Sequence, residues 1–129
     1  MIGIWSAYAN IFLYIVGGAM LVVYGLPLMV APLWWAKIFG WKVLQADNLT
    51  VTLGRSLGIV ISLIAVFAFE VTNTPAARPF FFDMMTWLIG AMTILHVYGA
   101  IRKLQPKLET IEIILWVVLF LLTICFYPA

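Results

Sequence analysis

Val51-Thr52-Leu53-Gly54-Arg55-Ser56-Leu57-Gly58-Ile59-Val60-Ile61-Ser62-Leu63-Ile64-Ala65-Val66-Phe67-Ala68-Phe69 is an apolar run broken by one charge. A helix needs about 18 to 20 such residues to cross a hydrocarbon layer about 30 Å thick. Ala9 to Val30, Met84 to Ile101 and Thr110 to Tyr127 have the same character, so four long apolar runs fill most of the 129 residues. A composition 66% hydrophobic and 9% charged excludes an ordinary soluble domain. Backbone polar groups left open to lipid cost several kcal/mol each, and the continuous runs lack the alternation of a barrel strand. The expected fold is therefore an all-α integral membrane protein. It is a single bundle of four transmembrane helices over residues 1–129, with a short interfacial segment after the first.

Seven Lys and Arg residues orient the bundle. Lys37, Lys42 and Arg55 belong to the first connection or the adjoining helix end, and Arg102, Lys103 and Lys107 to the third. Only Arg78 belongs to the second. Basic residues collect in cytoplasmic loops, which places the first and third connections there and both termini on the opposite face. The first charged residue is Lys37, so no basic region precedes the first run and that span is expected to remain in the mature protein. Nothing in this sparse basic set points to nucleic acid. The lone Cys125 lies within the last run and has no cysteine partner in the chain.

Local signals mark the boundaries. Gly25, Pro27 and Pro32 loosen the end of the first span. Leu33 to Lys42 then mixes aromatic residues with lysines, as a segment lying at a membrane surface does. Asp47, Asn48 or Thr50 is expected to cap the second helix, which ends near Glu70. Thr72 to Pro79 reads as the outer turn, Phe80 to Phe82 as interfacial, and Asp83 as the cap of the third helix. Glu70 and Asp83 are read as capping groups and partners of Arg78. Pro106 reads as part of the first turn of the last helix, where Glu109 and Glu112 suit the positive end of the dipole.

Gly54, Gly58 and Ser62 recur at four-residue spacing and let another backbone approach closely. The stripe serves either packing within the bundle or self-association, and the sequence leaves both open. A polar layer near the cytoplasmic side is the candidate binding site. Arg55 lies about one turn inside the second helix, His96 a little over one turn before the end of the third, Glu112 at a similar depth in the fourth, and Tyr24 in the first. Charged groups in membrane helices are functional hypotheses by default. The functional reading joins Arg55 to Glu112, with His96 and Tyr24 supplying hydrogen bonds; the plain reading has Arg55 reaching to lipid head groups. No catalytic residue, cofactor or metal site is expected. One histidine cannot ligate haem from both sides, and His96 and Cys125 lie at opposite depths.

Gly25-Leu26-Pro27 with Ala31-Pro32, then Phe39-Gly40-Trp41, Arg55-Ser56-Leu57-Gly58 and His96-Val97-Tyr98-Gly99, resembles small bacterial four-helix membrane proteins of the DoxX-like and BphX-like kind. The resemblance covers most of the chain in architecture and implies a bacterial inner-membrane protein. It transfers no catalytic residue. The leading expectation is a nonenzymatic accessory subunit that packs within a larger membrane complex or homo-oligomer, with membrane lipid as a further ligand. The alternative is a small membrane enzyme or carrier that recognises the polar end of a lipid, quinone or isoprenoid through Tyr24, Arg55, His96 and Glu112.

Overall fold

The computed structural model describes residues 2–43 and 47–128. Most of these are helical, with no strand among the described residues. Ser6–Tyr8 forms a 3-10 turn that leads into α1 (Ala9–Met20), a π-helical turn (Leu21–Gly25) and α2 (Leu26–Val30). A short α3 (Pro32–Ile38) follows, then the long helices α4 (Asn48–Glu70), α5 (Arg78–Ile101) and α6 (Lys107–Cys125). Ser6–Val30 and the segments Asn48–Glu70, Pro75–Ile101 and Lys107–Cys125 are each long and apolar enough to cross a membrane. The chain divides into two compact units, Leu13–Glu70 and Met1–Phe12 with Val71–Ala129.

In the Leu13–Glu70 unit, small residues decide the packing. A Cβ built on Gly58 meets Met29 N, with Gly25 O and the Leu28 carbonyl carbon each 2.8 Å away. One built on Gly25 meets Ser62 Oγ at 2.5 Å, and one on Gly54 meets Pro32 Cβ at 2.5 Å. The Gly54–Gly58–Ser62 stripe of α4 thus lies against the Gly25–Pro32 segment, where any larger side chain would push the backbones apart. The same proline-containing segment explains the π turn. Pro27 has no N–H to offer the carbonyl of Val23 four residues earlier, and the indole N–H of Trp35 donates to that oxygen instead, at 2.8 Å. Trp35 also stacks on Phe39 with centroids 4.2 Å apart and contacts Tyr24 at 5.7 Å, so Tyr24 is held in an aromatic group.

Pro32 disfavours helical backbone at Ala31, whose φ of −140° and ψ of 65° separate α2 from α3. α3 closes with Gly40 at φ 85°, where Trp41 N–H bonds Ala36 O and Gly40 N–H bonds Lys37 O. This is the Schellman pattern, and its left-handed position suits glycine. Asp47 provides the cap of α4, its Oδ1 accepting the Thr50 amide at 2.7 Å. The Thr50 hydroxyl and then its amide hold the Asp47 carboxyl below its ordinary pKa. A lowered folded-state value means that the cap contributes above the ordinary carboxylate range and is lost as pH falls through the lowered value. Asp47→Ala is accordingly expected to speed amide exchange at Thr50 near neutral pH, and to leave a smaller difference from the parent in strong acid. Equal exchange rates at neutral pH would remove Asp47 as the cap.

In the other unit, α5 and α6 form a hairpin. The outer turn departs from the sequence expectation. α5 begins at Arg78, with Pro79 in its first turn, so Asp83 lies inside the helix and does not cap it. Proline's fixed φ suits a helix start, and Arg78 turns back so that Nε and Nη2 donate to the carbonyls of Val71 and Thr72, at 3.2 and 2.8 Å. Arg78 therefore binds backbone oxygens, and it makes no ion pair with Glu70 or Asp83 among the described residues. Asp83 instead accepts the Tyr127 hydroxyl at 2.9 Å. Phe81 and Phe82 are buried, while Phe80 faces outward. Phe82 contacts Phe12 and Tyr127, and Phe12 stacks on Phe126 at 4.7 Å. The amides of Gly3 and Trp5 bond the Ile124 and Cys125 carbonyls, satisfying acceptors that the end of α6 leaves open.

At the opposite end of the hairpin, α5 closes on a second Schellman pattern: Leu104 N–H bonds Gly99 O and Lys103 N–H bonds Ala100 O. The left-handed position is held by Lys103, at φ 54°. Pro106 stands at the N-cap position of α6, one residue ahead of the helix, and its carbonyl accepts the Thr110 amide. Gln105 ties this turn down by donating to His96 O at 3.1 Å and Thr110 Oγ1 at 3.3 Å.

Candidate functional site

α6 begins Lys107-Leu108-Glu109-Thr110-Ile111-Glu112, followed by Trp116 two residues after Ile114. Glu109, Glu112 and Trp116 stand at i, i+3 and i+7, which is one face of a helix. The hairpin turn brings that face onto the last turns of α5, where His96 lies. The carboxyl groups sit at the amino end of α6, where the orphan N–H groups and the dipole favour negative charge. His96, Glu109 and Glu112 are 5%, 7% and 9% exposed, in a chain whose charged residues are otherwise mostly at helix ends and turns.

The imidazole is held on both sides. Nδ1 lies 2.8 Å from Met92 O, which accepts only, so Nδ1 carries a proton. Nε2 lies 2.9 Å from Glu109 Oε2 and 3.9 Å from Glu112 Oε2. The Trp116 indole N–H, which donates only, points at the same Nε2 from 3.3 Å, and its ring centroid is 5.4 Å from that of His96. Nε2 then has a single in-plane lone pair, which cannot serve both the indole N–H and the Glu109 oxygen 2.9 Å away. Two lone pairs face each other at this distance only around a cation, either a proton shared between them or a metal ion.

Among the sequence candidates, the structure brings His96 and Glu112 together. Tyr24 and Arg55 belong to the Leu13–Glu70 unit. Tyr24 is packed by Trp35 and by Phe39, the latter at 5.8 Å. Arg55 is exposed on α4 and makes no ion pair among the described residues. Gly54, Gly58 and Ser62 form the seam described above. Two threonines of α5 are bonded to their own helix: Thr86 Oγ1 donates to Phe82 O and Thr93 Oγ1 to Ile89 O, each at 2.8 Å.

Two members of the site escaped the sequence reading. The sequence assigns Glu109 to the helix dipole alone and does not single out Trp116. The signal was present in the Glu109-x-x-Glu112-x-x-x-Trp116 spacing, which puts all three on one face of α6. Outside the cluster, a shallow concavity of about 380 Å³ is lined by Ala100, Lys103, Gln105, Lys107, Thr110 and Ile111. Compared with known proteins, the chain matches no family model, no curated protein and no solved structure.

Proposed function

We propose that this chain is a nonenzymatic integral membrane subunit, a four-helix bundle that packs within a larger membrane complex or against copies of itself. The observation that carries this reading is the outward face of α5. Phe80, Trp87, Ile94 and Ile101 recur every seven residues and are all exposed, Trp87 by 81%. Large apolar side chains at seven-residue spacing form one row along the helix, a surface that suits a neighbouring helix as well as lipid. Little of the described chain lies outside the four long helices and their short connections, so such faces are most of what it offers to lipid or to a partner. In this proposal the basic first and third connections face the cytoplasm of a bacterial inner membrane, and α3, with Trp34, Trp35 and Lys37, lies at its surface. Its likeness to DoxX-like and BphX-like proteins belongs to the same proposal.

A second reading, recognition of the polar end of a lipophile, is favoured by the concavity beside the hairpin turn. Its two lysines, Lys103 and Lys107, suit an anionic head group, and Ile111 offers an apolar wall. Native mass spectrometry of protein released directly from its membrane tests both readings. A defined homo-oligomer or a stoichiometric protein partner is expected, and a monomer throughout would overturn the subunit reading. One retained anionic lipid that disappears in the Lys103→Gln/Lys107→Gln variant would support the second reading, and retention at equal occupancy would end it.

A further inference from the structure

We propose that His96, Glu109 and Glu112 form a binding site for one divalent first-row metal ion, a role separate from assembly and from lipid recognition. One ligand atom from each residue lies within 4.8 Å of the others, and all three residues are buried. The donor set is one imidazole nitrogen and two carboxylate oxygens, which suits Zn²⁺, Mn²⁺ or Fe²⁺ rather than a thiolate-seeking ion. Bond lengths of about 2.1 Å to nitrogen and to oxygen place neighbouring ligand atoms roughly 3.0 to 3.5 Å apart around the metal. The Nε2 to Glu109 separation of 2.9 Å already approaches this, and Glu112, at 3.9 Å, needs only a small movement of a flexible side chain to join it.

Three features go beyond a chance meeting of polar groups. A metal-binding histidine ordinarily donates its other ring N–H to a carboxylate or a backbone carbonyl, which fixes both tautomer and orientation. His96 does this through Met92 O, and Nε2 is the ligand atom once the Trp116 N–H that points at it turns to another acceptor. Burying two carboxylates side by side in an apolar hairpin is costly, and a divalent cation bound between them offsets that cost. Placement of both carboxylates on one turn of α6, opposite His96 on α5, makes the site bridge the two helices. Three protein donors leave at least one coordination position for water or another ligand. The hairpin connection, including Gln105, which bonds His96 O, holds the bridge in register.

The test uses the full-length, tag-free protein in detergent, stripped with a chelator and then offered Zn²⁺, Mn²⁺ or Co²⁺ singly. Elemental analysis after desalting is expected to find one equivalent per chain for at least one of these ions. The Co²⁺ form is expected to show visible ligand-field bands of a nitrogen–oxygen site. His96→Gln and Glu112→Gln are each expected to weaken binding by at least about 100-fold, with helix content checked by circular dichroism. Wild-type protein that retains none of the three ions and shows no Co²⁺ bands overturns the proposal, whatever the variants' folding. So does binding that the folded variants retain at wild-type strength. Because the readout is metal content per chain, it fails or succeeds independently of whether the protein is monomeric or assembled.

Discussion

Gly58→Ala is expected to destabilise the Leu13–Glu70 unit by about 3 kcal/mol, at the upper end of the usual cost of overpacking. The added methyl group meets backbone rather than side-chain atoms: Met29 N, Gly25 O and the Leu28 carbonyl carbon. A side chain can rotate away, whereas these atoms belong to the π turn and to α2. Relief therefore requires α4 to move off the segment as a whole. Gly18 is the internal control, since a Cβ built there meets nothing within 4 Å. Gly18→Ala is expected to be neutral or to stabilise by up to about 1 kcal/mol, because alanine is the better helix former. Reversible unfolding in mixed micelles, followed by helix content, measures both. Equal effects at the two glycines would mean that close approach at Gly58 does not govern this packing.

The second large effect is expected at His96. In metal-free protein, His96→Leu removes the group bonded to Glu109 Oε2 and the ring against which the Trp116 indole packs. Removing one member of a buried, hydrogen-bonded pair typically costs about 3 to 5 kcal/mol, because the remaining carboxylate keeps its desolvation penalty without its imidazole. The loss is expected in the unit that contains α5 and α6. Changing Glu109 and Glu112 to Met in the same variant removes that penalty, and a substantial part of the stability is expected to return. Unfolding measured in a chelator for wild type, single and triple variants decides the matter. A His96→Leu cost under about 1 kcal/mol, with no recovery in the triple variant, would mean that the cluster is solvated and energetically idle.

These two sites mark the reach of the sequence differently. The small-residue stripe was visible as Gly54, Gly58 and Ser62 because helical periodicity is local, and a four-residue spacing places residues on one face in any helix. Which surface it meets was open, and the structure supplies the Gly25–Pro32 segment. The polar cluster was half visible: His96 and Glu112 stood out as ionisable groups in apolar runs, whereas Glu109 and Trp116 did not. Their roles depend on the fold of the hairpin turn, through the left-handed Lys103 and the Gln105 bonds, which brings a face of α6 onto the end of α5. No single residue in that turn announces the register. The outer turn shows the same limit. Asp83 is a good cap in isolation, but the Arg78 bonds to two backbone carbonyls and the burial of Phe81 and Phe82 move the helix start back to Arg78.

By itself, the sequence determined the helical class, the number of long apolar helices and their approximate ends. Those follow from hydropathy, proline and backbone hydrogen bonding, all of which act within a few residues. Only the tertiary structure decided that Pro27 opens a π turn whose carbonyl is met by Trp35, that Gly58 faces backbone, and that His96 meets two carboxylates and an indole. Each of these joins residues distant along the chain through a distance of a few ångströms, and a one-dimensional pattern does not specify such distances.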